Sequence, residues 1–241
     1  MMTQIKRTSL LLIVLVLGVT SCINAQFAGE KGNGNLVKQD REVGSFTAIS
    51  AGTGLDVYVV QGEREAITVE TDENLQDNII TEVRGDKLVV KVEDRIRRAK
   101  AMNVYITLVN INEIHISSGC DFETKSTLKS KKLDIEVSSG ADAKIDVHAG
   151  ELSCSVSSGA DADLWGTADY FFAKASSGSD LNARELSAKV CKAKASSGAD
   201  VTVNATEEID ASASSGGDVS YYGNPTKVDV NTSSGGDVNR R

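Results

Sequence analysis

Proline is almost absent from this sequence. Pro225 is the only one in 241 residues, there are two histidines and one tryptophan, and aromatic residues make up 5%. Two histidines, His115 and His148, are too few for a histidine-rich metal centre, and each lacks an assigned acid partner for general acid–base work. No Gly-x-Ser-x-Gly stretch marks a nucleophile elbow. The basic run Arg95, Arg97, Arg98 and Lys100 reads as a solvated loop, and the formal net charge is −8. An acidic chain without a basic patch excludes nucleic acid as a partner. No stretch beyond the N-terminus has the length and 3.6 period of a substantial helix.

Long apolar runs are confined to the start. Lys6 and Arg7 precede Leu10–Val19, too short for a membrane span and built like a secretory leader. Val19-Thr20-Ser21-Cys22 reads as a lipobox, with Cys22 the acylated first residue of the exported chain; cleavage after Ala25 is the alternative. Loss of Lys6 and Arg7 with the leader takes the charge from −8 to −10. Acyl chains on Cys22 would hold the protein to a membrane at about 0.8 kcal/mol per buried methylene. Residues 22–42 read as a polar, Gly-containing tether. Cys120, Cys154 and Cys191 fall at different places in their repeats and read as free, buried thiols.

What the chain has in abundance is one motif. Ser-Ser-Gly, a small residue, then Asp occurs seven times, starting at Ser117, Ser138, Ser157, Ser176, Ser196, Ser214 and Ser233. Successive starts are 18 to 21 residues apart, a period that marks a solenoid. Around each motif apolar residues alternate with polar ones. Leu133, Leu152, Phe171, Cys191, Ile209 and Val228 hold the fifth place before it; Ile114, Ile135, Cys154, Ala173, Ala193, Ala211 and Val230 hold the third. Phe122, Ala143, Ala162, Leu181, Val201, Val219 and Val238 follow on the same parity. Strict period two means strands with one buried face. The expectation is an all-β protein: a right-handed parallel β-helix of about seven coils of ~19 residues over 112–241, each coil two strands joined at a Ser-Ser-Gly corner and closed by a turn. A more irregular β region over 43–111 precedes it, with strands near 46–50, 55–60, 66–70, 79–83, 87–92 and 102–109 and a hairpin at Gly85-Asp86.

The corner glycines call for positive φ or close backbone approach. By parity the second serine of each motif, Ser118 to Ser234, points inward into a hydroxyl stack. Asp121, Asp142, Asp161, Asp180, Asp200, Asp218 and Asp237 form an acidic column whose charges repel at a spacing of ~5 Å. Three devices would offset them: hydrogen bonds from each acid's own corner, which is preferred; a row of Ca²⁺ ions; or contact with a ligand. No catalytic residue, metal ligand or cofactor-binding residue is assigned. Trp165, Phe172 and Tyr222 have outward parity and make a candidate sticky patch, while Phe171 and Tyr221 point inward. The last motif is followed by no capping segment, so the open coil end is expected to be covered by a partner or by self-association.

With these motifs in place, the chain resembles the secreted head GIN domain proteins, also called putative autotransporter adhesins. The resemblance runs from about Val43 to Val238. It rests on Phe46-x-x-Ile49, Gly54-x-Asp56-Val57, Gln61-Gly62, Val69-Glu70-x-Asp72-x-Asn74-Leu75, Leu88 after Gly85-Asp86, and the Ser-Gly-x-Asp repeats. It implies a β-helix shaped like the pectin lyases but without their catalytic residues, and a role in cell adhesion or protein–protein contact. The function expected is a non-catalytic binding or adhesion module at the cell envelope, meeting protein or glycan partners. A structural envelope protein and a carbohydrate-active enzyme are the alternatives.

Overall fold

A computed structural model describes residues 29–241, so Cys22 and the leader lie outside the described residues. The described residues form nineteen strands: β1 (Glu30–Lys31), β2 (Leu36–Arg41), β3 (Ala48–Ala51), β4 (Asp56–Gln61), β5 (Ala66–Asp72), β6 (Ile79–Arg84), β7 (Lys87–Val92), β8 (Ile96–Arg98), β9 (Met102–Leu108), β10 (Glu113–Ile116), β11 (Asp121–Thr124), β12 (Leu128–Ser138), β13 (Asp142–Ser157), β14 (Asp161–Ser176), β15 (Asp180–Ser196), β16 (Asp200–Ser214), β17 (Asp218–Tyr222), β18 (Lys227–Ser233) and β19 (Asp237–Arg240). A short 3-10 helix, Glu73–Asn78, joins β5 to β6.

The alternation of apolar and polar residues builds a parallel solenoid. From β10 to β19 every coil pairs in parallel with the next, and like residues stand in register: Ile114 with Ile135, Cys154 and Ala173, and Phe122 with Ala143 and Ala162. Their side chains fill one continuous bore in which Ile135, Val137, Leu152, Phe171, Ala193 and Ile209 are all buried. Each aliphatic side chain so enclosed contributes about 1.5–3 kcal/mol.

Two details differ from the sequence expectation. From β13 to β16 no loop closes the coil: one strand of 15 to 17 residues runs from corner to corner. It bends where Lys131, Gly150, Asp169 and Lys189 drop out of the pairing. One unpaired residue shifts the parity there, so Ala149 and Leu152 both face the bore. The second difference is the second serine of each motif, which is exposed rather than inward. Ser118, Ser139, Ser158, Ser177, Ser197, Ser215 and Ser234 have φ of 50° to 59°, and the following glycines have φ of 66° to 77°. Two successive residues of positive φ turn the chain through the corner and place the next residue inward. Cys120, Ala141, Ala160 and Ala199 are accordingly buried. A Cβ on the corner glycines Gly119 to Gly198 would meet nothing within 4 Å, so positive φ and not crowding selects glycine.

The first half of the chain is interleaved with the repeats. β3 and β4 form a coil of their own, parallel to β10 and β11. β7 and β9, later in the chain, lie parallel to β3 and β4 on the far side. β6 covers β7, β5 covers β9, and β2 covers β5, all antiparallel. The stretch read as a tether is therefore partly built into the fold. Leu36–Arg41 is strand β2, and Glu30–Lys31 pairs with Ile96–Arg98, inside the run read as a loop. Gly32 and Gly34 let this segment lie against the buried Asp72, whose carboxylate accepts the Gly34 N–H (2.5 Å) and the Lys100 N–H (2.6 Å).

Candidate functional site: the solenoid walls

The corners place the acids. The glycine N–H of one coil donates to the second-serine carbonyl of the next, as from Gly119 to Ser139 and Gly140 to Ser158, both 3.2 Å. The Asp N–H donates to the coil before, as from Asp142 to Cys120 and Asp161 to Ala141, both 3.0 Å. The carboxylates of Asp121, Asp142, Asp161, Asp180 and Asp200 accept no hydrogen bond from their own corners, whose Gly and Asp N–H groups serve the neighbouring coils. The local offset expected from sequence is therefore not what the structure shows. At the far end the Asp237 N–H reaches Asp218 Oδ1 at 3.2 Å.

All seven aspartates stand side by side in register. The structure adds an eighth. Asp56 pairs with Asp121, at a corner written Gly52-Thr53-Gly54-Leu55, with Thr53 at φ 62° and Gly54 at φ 67°. Thr-Gly-Leu-Asp was the signal in the sequence. The electrostatic consequence is direct. Burial, then the Asp121 charge, raises the Asp56 carboxyl above the ordinary range. Burial, then Asp121 and Asp161, raises Asp142; burial, then Asp200 and Asp161, raises Asp180. Lys144 pulls Asp142 back in part.

A carboxyl whose pKa rises on folding favours the fold fully below its unfolded value, and that benefit is lost as pH rises through the folded value. Asp142→Asn is thus expected to stabilise the protein near pH 7 by a few tenths to about 1 kcal/mol, as removal of a like charge from facing strands does. The gain should shrink in ~1 M salt. Chemical denaturation at two salt concentrations checks it; a destabilised variant would mean that the carboxylate holds the corner together. Among the described residues no three or more His, Cys, Asp or Glu converge in a metal-holding group.

The wall before the corner has a different chemistry. Tyr170 and Phe172, two residues apart on β14, flank the inward Phe171; Tyr170 is 59% exposed. With Leu133, Leu152 and Val190 they line a shallow groove of about 510 Å³. Ion pairs between coils border it, Lys132 with Glu151 (3.9 Å) and Lys192 with Asp210 (2.5 Å). Lys194 lies 5.9 Å from the Phe172 ring centre. The aromatic patch read from sequence divides: Phe172 sits here, while Trp165 and Tyr222 lie beyond the corner, Tyr222 under Arg184 at 4.5 Å. Phe171 and Tyr221 are inside, as parity requires.

The remaining reactive groups are structural. Burial pushes the Cys120, Cys154 and Cys191 thiols up to about 12, which makes them inert at neutral pH. His115 meets Glu136 at 3.2 Å on the surface, and His148 bonds Thr167. The Thr167 hydroxyl beside His148 is exposed on the outer wall, and Asp169 nearby pairs with Lys189.

A repeating parallel coil with small αL corners, covered at one end by antiparallel strands, defines a parallel β-solenoid. The family profile of the putative auto-transporter adhesin head GIN domain matches residues 45–225, and the chain belongs to that family. Among solved structures, a putative adhesin from Bacteroides fragilis is similar with a TM-score of 0.79 at 24% identity, over 88% of this chain and 100% of that one. A putative lipid binding protein from Parabacteroides distasonis gives 0.72 at 19% identity, over 89% and 100%. A putative adhesin from Parabacteroides merdae gives 0.70 at 18% identity, over 88% and 99%. These likenesses show a shared fold. A search of curated proteins finds no match.

Proposed function

We propose that the protein is a non-catalytic binding module of the cell envelope, which meets protein or glycan partners through the wall carrying Tyr170 and Phe172. The observation that carries this reading is Tyr170, a large ring 59% exposed in a groove with Phe172 and Val190. Burying that ring in the core would have been cheaper in free energy, and exposed aromatics over a fixed scaffold are the usual anchors of interfaces. Membership of an adhesin family supports it. The walls carry ion pairs and hydrogen bonds between coils, and the Thr167–His148 pair lies outside the Tyr170 groove.

A binding array of glycans and envelope proteins, probed with wild type and with Tyr170→Ala/Phe172→Ala, tests the proposal. Loss of both anchors should weaken binding by about 30-fold or more, the worth of a central aromatic anchor. Both side chains are on the outer wall, so the variant should keep its circular dichroism. Equal binding by the two proteins would sink the assignment of this wall, and appearance of cleaved glycan would sink the non-catalytic reading.

A further inference from the structure

The two ends of the solenoid are finished differently. At the end formed by β7 and β9, antiparallel β6, β5 and β2 lie over the parallel coils, and the two edge strands are β2, which exposes Lys38 and Asp40, and β6, which exposes Arg84. Charges on an edge strand discourage further pairing. At the other end β18 pairs with β16 and β19 with β17, and no further ladder reaches them among the described residues. All seven residues of β18 are exposed. Val228 and Val230 occupy columns that are buried in every earlier coil, yet they are 48% and 45% exposed. An open ladder and an open bore coincide here.

The edge is also self-complementary. Consider two copies of β18 running antiparallel about a two-fold axis at Val230. Inward residues then oppose inward ones: Val230 meets its twin and Val228 meets Thr232. Outward, Asp229 faces Asn231, twice, an acceptor opposite an amide donor, and Lys227 faces Ser233. No like charges face each other along β18 in this register, whereas a one-residue slip would set valines against polar residues.

We infer that this open end is the contact surface for a second copy of the chain, joined end to end about a two-fold axis at Val230. A two-fold contact uses the same β18 edge of both copies, so the assembly closes as a dimer and does not extend into a filament. The valine-lined bore becomes continuous across the contact, and the free backbone groups of β18 find partners.

Analytical ultracentrifugation of the mature chain tests this. Wild type is expected to be a dimer at ~10 μM. Val230→Lys puts two ammonium groups on the axis and should raise the dissociation constant at least about tenfold; Asn231→Asp should weaken the dimer, and Asn231→Lys, which faces Asp229, should tighten it. Val230 is half-exposed in the monomer, so Val230→Lys should melt as a folded protein, which thermal denaturation verifies. Val230→Cys should give a disulfide-linked dimer on oxidation, since directly opposed residues lie within the ~5.5 Å that a disulfide spans. A wild-type monomer at ~100 μM, a dimer indifferent to Val230→Lys, or species larger than a dimer would each overturn the inference.

Discussion

Gly166→Ala is expected to lower the free energy of unfolding by about 3 to 5 kcal/mol, overpacking and backbone strain together. Gly166 lies on β14 with φ 113°, between Val147 and Leu186 in the ladder. An ideal Cβ there would overlap the Val147 carbonyl oxygen and come within 3.2 Å of Asp146 Oδ1. The obstacle is backbone of the neighbouring coil, held by its own ladder, so a rotamer change cannot relieve it. Gly140→Ala is the control. It shares the positive φ but has open space around it, and should cost only about 1 kcal/mol. Urea denaturation of the two variants checks the contrast. Equal losses would mean that the coils yield easily, and that conformation alone decides both positions.

Asp72→Asn should cost about 3 kcal/mol near pH 7, because two backbone N–H groups lose an ionised acceptor within an enclosed site. Asp72 is 1% exposed and anchors Gly34 and Lys100, which ties the segment before β2 to the loop before β9. The Lys100 N–H beside the carboxylate holds its pKa below the ordinary 3.8, with Gly34 adding to the effect and burial opposing it. A depressed carboxyl gives stability that is present above the unfolded value and lost as pH falls through the folded one. The deficit of Asp72→Asn should therefore shrink as pH drops below about 4, read by denaturation at several pH values. A pH-independent deficit would show that shape, and not charge, matters at this position. In wild type Asp56, Asp142 and Asp180, whose carboxyls are raised, act in the opposite sense to Asp72 on the same descent.

The repeats were legible because a stacked coil asks the same question of every turn. A corner that needs two positive-φ residues, a small inward residue and an outward acid writes Ser-Ser-Gly-x-Asp each time. Period-two alternation then named the bore. The coil formed by β3 and β4 has Gly-Thr-Gly-Leu-Asp, which satisfies the same geometry in other letters, so the repeat period did not place Asp56 in the acidic column. Parity counting misplaced Ser118 and its equivalents because it presumes extended backbone; each positive-φ residue breaks the count. The resemblance to head GIN domain proteins rested on both halves, and the family match over residues 45–225 agrees with it.

By itself the sequence determined that the chain coils, where each coil turns and which residues fill the interior, since all three follow from local backbone preference and alternation. The tertiary structure alone decided the order of the coils in space, with β7 and β9 packed outside β3 and β4 although they come later in the chain. It alone also decided that the acids lack donors at their own corners, and that Tyr170 and Phe172 share a wall which Trp165 and Tyr222 do not. These depend on contacts between residues far apart in sequence. Such contacts are chosen by which unpaired edge a strand meets, and no local pattern encodes that choice.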